Sequence, residues 1–359
     1  MREPNAIDFW RGLALVTIFV NHVPGNAFER LTYTGYSISD AAELFVFLAG
    51  WSLALATERK GNQDTPARVL LRLTSRAVEL YRAQLVIVLL ALALIGGAAL
   101  LLDNPLLRDW HNAGPFFANP VPTTVGLVLL THQLGYFNIL PLYVVLLILA
   151  PVFILLTRVN RLLALAASFT LYTVALAFEW NLPSWPESGR WFFNPLAWQF
   201  LLTLGFVGSL MARDSERFRA VARRFQPLGV LGVLVGVALS VGQIRPDPLG
   251  VPEPRLFFLL DKTYVSPLRL LDFLAIVIAF QGAFPLVLRW LPWLAPPLSA
   301  LGRNSLAVFS IGSVVALAIQ LVRASIARSI MFDFVLIGSG ILMLLFTAWF
   351  VEWRTRSSR

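Results

Sequence analysis

The sequence contains no cysteine and only three histidines, His22, His111 and His132. The absence of cysteine excludes disulfide bonds and a cysteine nucleophile. The histidines form no HExxH motif and no His/Cys cluster, so we predict no metal site built by the protein. Charged residues make up only 14% of the chain, against about 25% in soluble domains. Together with the 57% hydrophobic residues, this shortage of charge predicts an integral membrane protein.

Apolar runs long enough to span a membrane recur about ten times along the chain. We therefore predict an all-α polytopic membrane protein, folded as a single bundle and a single domain over residues 1–359. No internal repeat relates its two halves, which disfavours an inverted-repeat transporter. The predicted spans lie near residues 7–24, 41–57, 83–102, 137–157, 161–179, 195–212, 226–243, 269–289, 304–322 and 330–351.

The basic residues are distributed unevenly between the alternate loops. With the amino terminus in the cytoplasm, the inner segments hold 20 arginine and lysine residues and the outer segments hold 9. The positive-inside rule therefore predicts that both termini are cytoplasmic. Because the basic residues are dispersed over membrane-flanking loops, the net charge of +9 indicates topology and does not predict a nucleic-acid partner.

Three ionisable residues, Asp8, Arg11 and His22, lie in the first predicted span. His22 follows Asp8 and Arg11 by about four and three helical turns, so the three side chains share one face, with Arg11 and His22 roughly 16 Å apart along the helix. Ionisable groups inside a membrane are costly and are usually functional. The alternative is that Asp8 and Arg11 anchor the helix at the membrane interface and that His22 is a hydrogen-bonded core residue.

Basic residues form a ridge that leads into the third predicted span. Thr65 is a good N-cap and Pro66 a good first helical residue, and arginines follow at intervals of four. Guanidinium groups bind phosphates well, so the ridge would hold the phosphates of a cytosolic donor; contact with anionic lipid is the alternative. The candidate donor-binding residues are Arg68, Arg72, Arg76, Tyr81, Arg82 and, before the ninth span, Arg303.

An acidic pair precedes the second predicted span. Asp40 or Ser39, with Glu43 one turn later, is typical of a capped helix N-terminus. Glu43 is expected near His22 in depth, where its carboxylate would orient the imidazole and leave the other ring nitrogen free as a base.

Amides and aromatic rings cluster where the fourth and sixth spans begin. Rings stack on sugar faces while amides bind hydroxyls, so these clusters suit a hydroxyl-rich acceptor; an aromatic belt at the membrane interface is the alternative. The candidate acceptor-binding residues are His132, Tyr136, Asn138, Asn194, Trp198 and Gln199.

Together these motifs resemble the OpgC family, within the acyltransferase type 3 superfamily of membrane O-acyltransferases. The spacing of Arg11 and His22 resembles the superfamily's arginine–ten residues–histidine signature. Ala307 departs from the pattern, since many relatives have proline there. The resemblance covers nearly the whole chain and depends on residues 7–12, 22–25, 39–50, 80–83, 132–143, 194–199 and 301–306.

The resemblance implies transfer of an acyl group, such as succinyl, from a cytosolic acyl-CoA to hydroxyls of a periplasmic or envelope glycan. It implies a bacterial inner membrane, with acyl-CoA as a co-substrate and no permanently bound cofactor. His22 would act as general base. Arg11, held by Asp8, would bind the donor, stabilise an oxyanion or serve the structure. The alternative is a transporter or flippase for a glycan or acyl compound, in which His22 and Asp8 would line a path or relay protons.

Overall fold

The computed structural model describes residues 3–59, 62–326 and 329–357. Over these ranges most residues are helical, and the two short strands Glu58–Arg59 and Asn62–Gln63 form one antiparallel hairpin. Short 3-10 helices cover Glu29–Leu31, Tyr33–Tyr36, Pro105–Asn112 and Arg255–Phe257. The α-helices are α1 (Ala6–Asn21), α2 (Ala41–Thr57), α3 (Pro66–Leu101), α4 (Gly114–Ala118), α5 (Pro120–Val128), α6 (Ile139–Val159), α7 (Arg161–Ala177), α8 (Pro195–Asp214), α9 (Glu216–Arg224), α10 (Gln226–Val241), α11 (Pro267–Phe280), α12 (Ala283–Trp290), α13 (Ala295–Arg303), α14 (Ser305–Ser325) and α15 (Ile330–Ser357).

Side-chain caps fix where the helices of the first third begin. The Asp40 carboxylate accepts from the backbone N–H of Ala42, and Glu43 returns to the N–H of Asp40, which completes a capping box for α2. The Thr65 hydroxyl accepts from the N–H of Arg68, and Pro66 takes the first position of α3. Both predicted caps are therefore confirmed, because capping depends only on residues within one turn.

Several helices are long and apolar enough to cross a membrane. Among the described residues, α3, α6, α8, α14 and α15 meet this condition by length and composition, and two bent pairs, α9–α10 and α11–α12, raise the number to seven. The other three predicted spans correspond to α1, α2 and α7, which have 16, 17 and 17 residues. Such helices are about 24–26 Å long, shorter than the roughly 30 Å hydrocarbon core. The prediction of ten spans is thus supported in part, and the location of the termini stays a prediction.

Glycines bring α1 and α2 into backbone contact with their neighbours. A Cβ added to Gly12 of α1 would lie 1.9 Å from the carbonyl oxygen of Leu298 in α13. A Cβ added to Gly50 of α2 would lie 1.9 Å from the carbonyl oxygen of Leu202 in α8. Small residues allow such close helix packing in membranes. The two helices that carry the predicted catalytic residues are therefore held firmly by α13 and α8.

The third predicted span differs most from its expected form. It begins at Pro66 instead of near residue 83 and continues as one helix of 36 residues. The basic ridge and the apolar span are therefore a single rigid element. The segment after it, residues 103–136, contains α4 and α5 as well as a 3-10 helix.

Candidate active site

A cavity of about 380 Å³ lies beside His22, at the end of the bundle where α1 finishes. We call it the His22 cavity. Its apolar side includes Phe309 and the rings of Phe192 and Phe193. Its polar lining consists of Asn21, His22, Asp40, Tyr136, Asn138 and Lys262.

His22 is the residue immediately after α1, where its backbone N–H donates to the carbonyl of Ile18 at 2.8 Å. The centroid of its half-buried imidazole lies 4.8 Å from that of Tyr136, with 54° between the ring planes. Its backbone carbonyl accepts from Nε2 of Gln320. In the part of the chain that the structure describes, no side chain hydrogen-bonds the imidazole nitrogens of His22. A ligand in the cavity can therefore use either nitrogen.

A second cavity, of about 230 Å³, lies at the opposite end of α1 beside Arg11. We call it the Arg11 cavity. Phe309 of α14 lines both cavities, so the two lie on either side of this buried ring. At about 1.5 Å per residue, Arg11 and His22 are separated by roughly 16 Å along α1. The polar lining of the Arg11 cavity consists of Arg11, Ser52, Arg76, Tyr143 and Ser305.

Arg11 is bound on several sides. Its Nη2 donates to the carbonyl of Leu48 at 3.2 Å and to the hydroxyl of Ser52. Its Nη1 lies 3.8 Å from the carboxylate of Asp8, which also accepts from Nδ2 of Asn5 at 2.6 Å. The structure thus places Asp8 beside Arg11, as the sequence suggests. These contacts tie α1 to α2 while one guanidinium face borders the cavity.

Among the described residues, Glu43 forms no hydrogen bond with the imidazole that it was expected to orient. The side chain is fully buried. One carboxylate oxygen accepts from Nε of Arg269 at 2.9 Å, and the other accepts from the backbone N–H of Asp40 at 3.1 Å. Both oxygens are therefore occupied by α11 and by the start of α2, and the structure does not bring Glu43 to His22.

Asp40 and Lys262 form an ion pair that lines the His22 cavity. The ammonium of Lys262 also lies 5.5 Å from the ring centroid of Phe193, within cation–π range. From the sequence, Asp40 is predicted only as a helix cap, and Lys262 and Phe193 are not predicted as site residues. One feature of the sequence could have drawn attention to Lys262: it is one of only two lysines in a chain whose other basic residues are arginines.

Tyr136 and Asn138 line the His22 cavity, whereas the other predicted acceptor residues do not. His132 is buried, and its Nε2 lies 3.0 Å from the carbonyl of Asn112. Gln199 is buried against Ser168 of α7. The side chains of His132 and Gln199 therefore form hydrogen bonds within the protein and do not line the cavity.

Asn194 and Trp198 support the cavity wall from behind. Asn194 caps α8 by accepting from the N–H of Leu196 at 3.0 Å. Trp198 is fully buried, and its Nε1 donates to the carbonyls of Lys262 and Thr263 at 3.2 and 3.1 Å. Trp198 therefore holds in place the loop that carries Lys262 into the cavity.

Of the predicted donor-binding residues, only Arg76 lines either cavity in the described part of the chain. Arg76 also pairs with Glu79 of the same helix. The remaining five bind elsewhere or face outward on α3. Arg72 pairs with Asp64, Arg303 pairs with Glu352, the Tyr81 hydroxyl donates to the carbonyl of Val128, and Arg68 and Arg82 are exposed.

The two cavities differ in the charge of their linings. The His22 cavity contains a carboxylate and an ammonium that pair with each other, whereas the Arg11 cavity contains two guanidinium groups and no carboxylate. The first arrangement suits a neutral, hydroxyl-rich ligand beside a base, and the second suits an anionic one. Among the described residues, no group of three or more His, Cys, Asp or Glu side chains could hold a metal ion.

Comparison with known proteins gives a match at the level of a family. A search of curated proteins finds no similar sequence. A family model described as OpgC protein matches residues 2–356, which is nearly the whole chain. A match of this extent includes both cavities and every residue described above. The chain therefore belongs to the OpgC protein family.

Proposed function

We propose that this protein is a membrane O-acyltransferase that moves an acyl group, such as succinyl, from a cytosolic acyl-CoA to a hydroxyl of a periplasmic or envelope glycan. Membership of the OpgC family suggests a glucan-modifying acyltransferase, and several long apolar helices support a membrane protein. The observation that carries the proposal is the pair of cavities at the two ends of α1, one beside His22 and one beside Arg11.

We also infer the acyltransferase type 3 superfamily, a bacterial inner membrane, ten spans and cytoplasmic termini. The excess of basic residues in the inner segments supports this orientation. The Arg11 cavity then lies toward the cytoplasm and the His22 cavity toward the outside. The donor would enter from the first side and the acceptor from the second.

In this reaction His22 is the general base. An imidazole nitrogen takes the proton from the acceptor hydroxyl while the hydroxyl oxygen attacks the thioester carbonyl carbon. The C–S bond of the tetrahedral intermediate then breaks, an ester forms, and the imidazolium returns its proton to the departing CoA thiolate. The absence of side-chain hydrogen bonds to the imidazole within the described residues supports this role.

Arg11 acts on the donor and not on the same atom as His22. A separation of roughly 16 Å along one helix is too large for both side chains to reach one carbonyl. Arg11 and Arg76 supply two positive charges to a cavity otherwise lined mainly by apolar side chains. Guanidinium groups bind anionic oxygens strongly, so this cavity would hold the anionic part of acyl-CoA.

The acceptor binds in the His22 cavity. The rings of Tyr136 and Phe193 offer faces for a sugar, and the amide of Asn138 offers a donor and an acceptor for hydroxyls. The Asp40–Lys262 pair adds a charged hydrogen-bonding edge. Asn194 and Trp198 contribute by holding this wall in place.

The test uses purified protein, labelled succinyl-CoA, and either a glucan or a simple sugar as acceptor. We expect labelled ester from the wild-type protein and none from His22→Ala, with the elution profile and melting temperature of the variant unchanged. The exposed Arg217→Gln in α9 is the control. Undiminished transfer by His22→Ala would exclude His22 as the base. Uptake of glycan or acyl compound into vesicles without ester formation would favour the transporter or flippase.

A further inference from the structure

The side chain of Gln320 connects two of the chain's three histidines. Gln320 is buried on α14, where its Nε2 donates to the backbone carbonyl of His22. Its Oε1 lies 2.7 Å from Nε2 of His111, which lies at the kink in the 3-10 helix Pro105–Asn112 between α3 and α4. The amide therefore bridges the backbone of His22 to the ring of His111.

This bridge fixes which nitrogen of His111 carries hydrogen. A backbone carbonyl only accepts, so the NH₂ group of Gln320 must face His22 and its oxygen must face His111. Nε2 of His111 is then the donor. Burial lowers the pKa of the His111 imidazole, against a smaller opposing effect of the hydrogen bond to Gln320. His111 is therefore neutral at pH 7, with the hydrogen on Nε2.

A second route from His111 to His22 passes through Tyr136. The Tyr136 ring lies 4.8 Å from the His22 ring and 5.1 Å from the His111 ring, measured between centroids. The backbone N–H of Gly135 also donates to the carbonyl of His111 at 2.8 Å. Tyr136 and His111 have φ angles of +66° and +55°. Bulky residues rarely adopt this left-handed region, and such strain persists where surrounding contacts enforce it, often at functional sites.

The chain beyond His22 is held by the same helix. Arg323, one turn after Gln320, donates to the carbonyls of Pro24 and Gly25, both at 2.9 Å. It also forms an ion pair with Asp333 of α15 at 2.9 Å. Since His22 follows the last residue of α1, these contacts replace the next helical turn in fixing its backbone.

We propose that His111 is a positioning residue for His22, which it orients through the Gln320 amide and the Tyr136 ring. This inference rests on the proposed function, in which His22 is the base. His111 binds neither substrate and lowers no barrier directly. It keeps the His22 imidazole aimed into the cavity, where a small misplacement of a reacting group is expected to slow the chemical step strongly.

The kinetic test compares two substitutions at His111. His111→Leu removes the donor to Gln320, whereas the amide of His111→Gln can still donate. We expect His111→Leu to lower kcat about tenfold or more with the donor KM unchanged, and His111→Gln to keep most of the activity. Ser313→Ala is the matched control, because Ser313 is also buried on α14 but bonds only its own helix, at Phe309. Equal losses for Leu and Gln, or no loss for either, would overturn the proposal.

The spectroscopic test does not depend on turnover. With three histidines in the chain, ¹⁵N-histidine labelling of the full-length protein in detergent gives three imidazoles, which single-histidine variants assign. We expect a neutral Nε2–H form for His111, and a changed His22 signal in Gln320→Leu and His111→Leu but not in Ser313→Ala. An unmoved His22 signal refutes the positioning role. If His22→Ala retains transfer while the His22 signal responds to His111, the proposed base fails and the positioning contact stands.

Discussion

The His22 cavity and the Arg11 cavity lie at opposite ends of one helix, yet different parts of the chain build them. All residues that line the Arg11 cavity belong to helices, namely α1, α2, α3, α6, α8 and α14. The His22 cavity takes Tyr136, Phe193 and Lys262 from loops. Binding surfaces that vary between relatives are commonly built from loops on a rigid scaffold. Under the proposed function, the scaffold recognises the donor and the loops recognise the acceptor.

The charges of the lining residues also distinguish the Arg11 cavity from the His22 cavity. Arg11 and Arg76 pair with carboxylates outside the lining of the first cavity, Asp8 and Glu79, so that the lining itself presents two guanidinium groups. In the second cavity, Asp40 and Lys262 both belong to the lining and pair with each other. The Arg11 cavity, which is cationic and built by helices, and the His22 cavity, in which the charges pair and loops contribute, should respond to different substitutions. A substitution in one cavity should therefore leave binding in the other cavity unchanged.

The largest effect is expected for His22→Ala. General base catalysis contributes about 10²–10⁴-fold, so kcat for ester formation should fall by about that factor. The Arg11 cavity lies roughly 16 Å away along α1, and the dissociation constant for labelled acyl-CoA should therefore stay the same. A parallel loss of donor binding would show that the two cavities do not act separately.

The next effect concerns stability at the His22 end. Glu43 is fully buried and its partner Arg269 nearly so. Removing one member of a buried ion pair typically costs about 3–5 kcal/mol, and here only the lower end is expected because Asp40, 3.6 Å from the Arg269 guanidinium, still pairs with it. Glu43→Ala should therefore strongly lower resistance to unfolding by SDS or urea in detergent. The double variant Glu43→Met with Arg269→Met should recover most of the lost resistance to unfolding. A double variant as unstable as Glu43→Ala would contradict the ion-pair explanation.

A smaller effect is expected at the Arg11 end for Arg76→Gln. A hydrogen bond to a charged group contributes about 1.5–3 kcal/mol, so the donor KM should rise about tenfold or somewhat more. The acceptor KM should not change. The matched Arg217→Gln, exposed on α9, should leave both constants alone. An unchanged donor KM in Arg76→Gln would remove this arginine from the donor site.

The smallest effect is expected for Trp198→Phe. The change keeps a buried ring but removes the N–H that donates to the carbonyls of Lys262 and Thr263. The loss of about 1 kcal/mol of hydrogen bonding should raise the acceptor KM about fivefold and leave the donor KM constant. Trp353→Phe, on the exposed face of α15, is the control. A shift in donor KM would show that the loop wall also serves the Arg11 cavity.

Much of the local structure could be predicted before the fold was known. Apolar periodicity predicts the first helix, which contains Arg11 and ends one residue before His22, and local capping chemistry correctly marks the starts of α2 and α3 at Asp40 and Thr65. The ten membrane spans are harder to predict, because α1, α2 and α7 are short and the pairs α9–α10 and α11–α12 are each bent. An apolar run predicts burial but not whether a helix continues straight through it.

The candidate site was only partly predictable. Asn138 and Trp198 belong to the same kind of amide and aromatic cluster, yet Asn138 lines the His22 cavity and Trp198 holds a loop behind it. The same side chains bind a sugar or satisfy buried backbone carbonyls, and composition does not distinguish the two uses. Only the packing around each residue does.

Composition and periodicity are enough to predict a cysteine-free, helical membrane protein with Arg11 in its first helix and His22 close to the end of that helix. These properties depend on hydrophobicity, on the helical repeat and on hydrogen bonds within one turn. Tertiary packing is needed for Glu43 to meet Arg269, for Lys262 to line the His22 cavity, and for Gln320 to link His22 to His111. Those contacts join residues that are far apart in the chain. They arise only when separate helices and loops pack together.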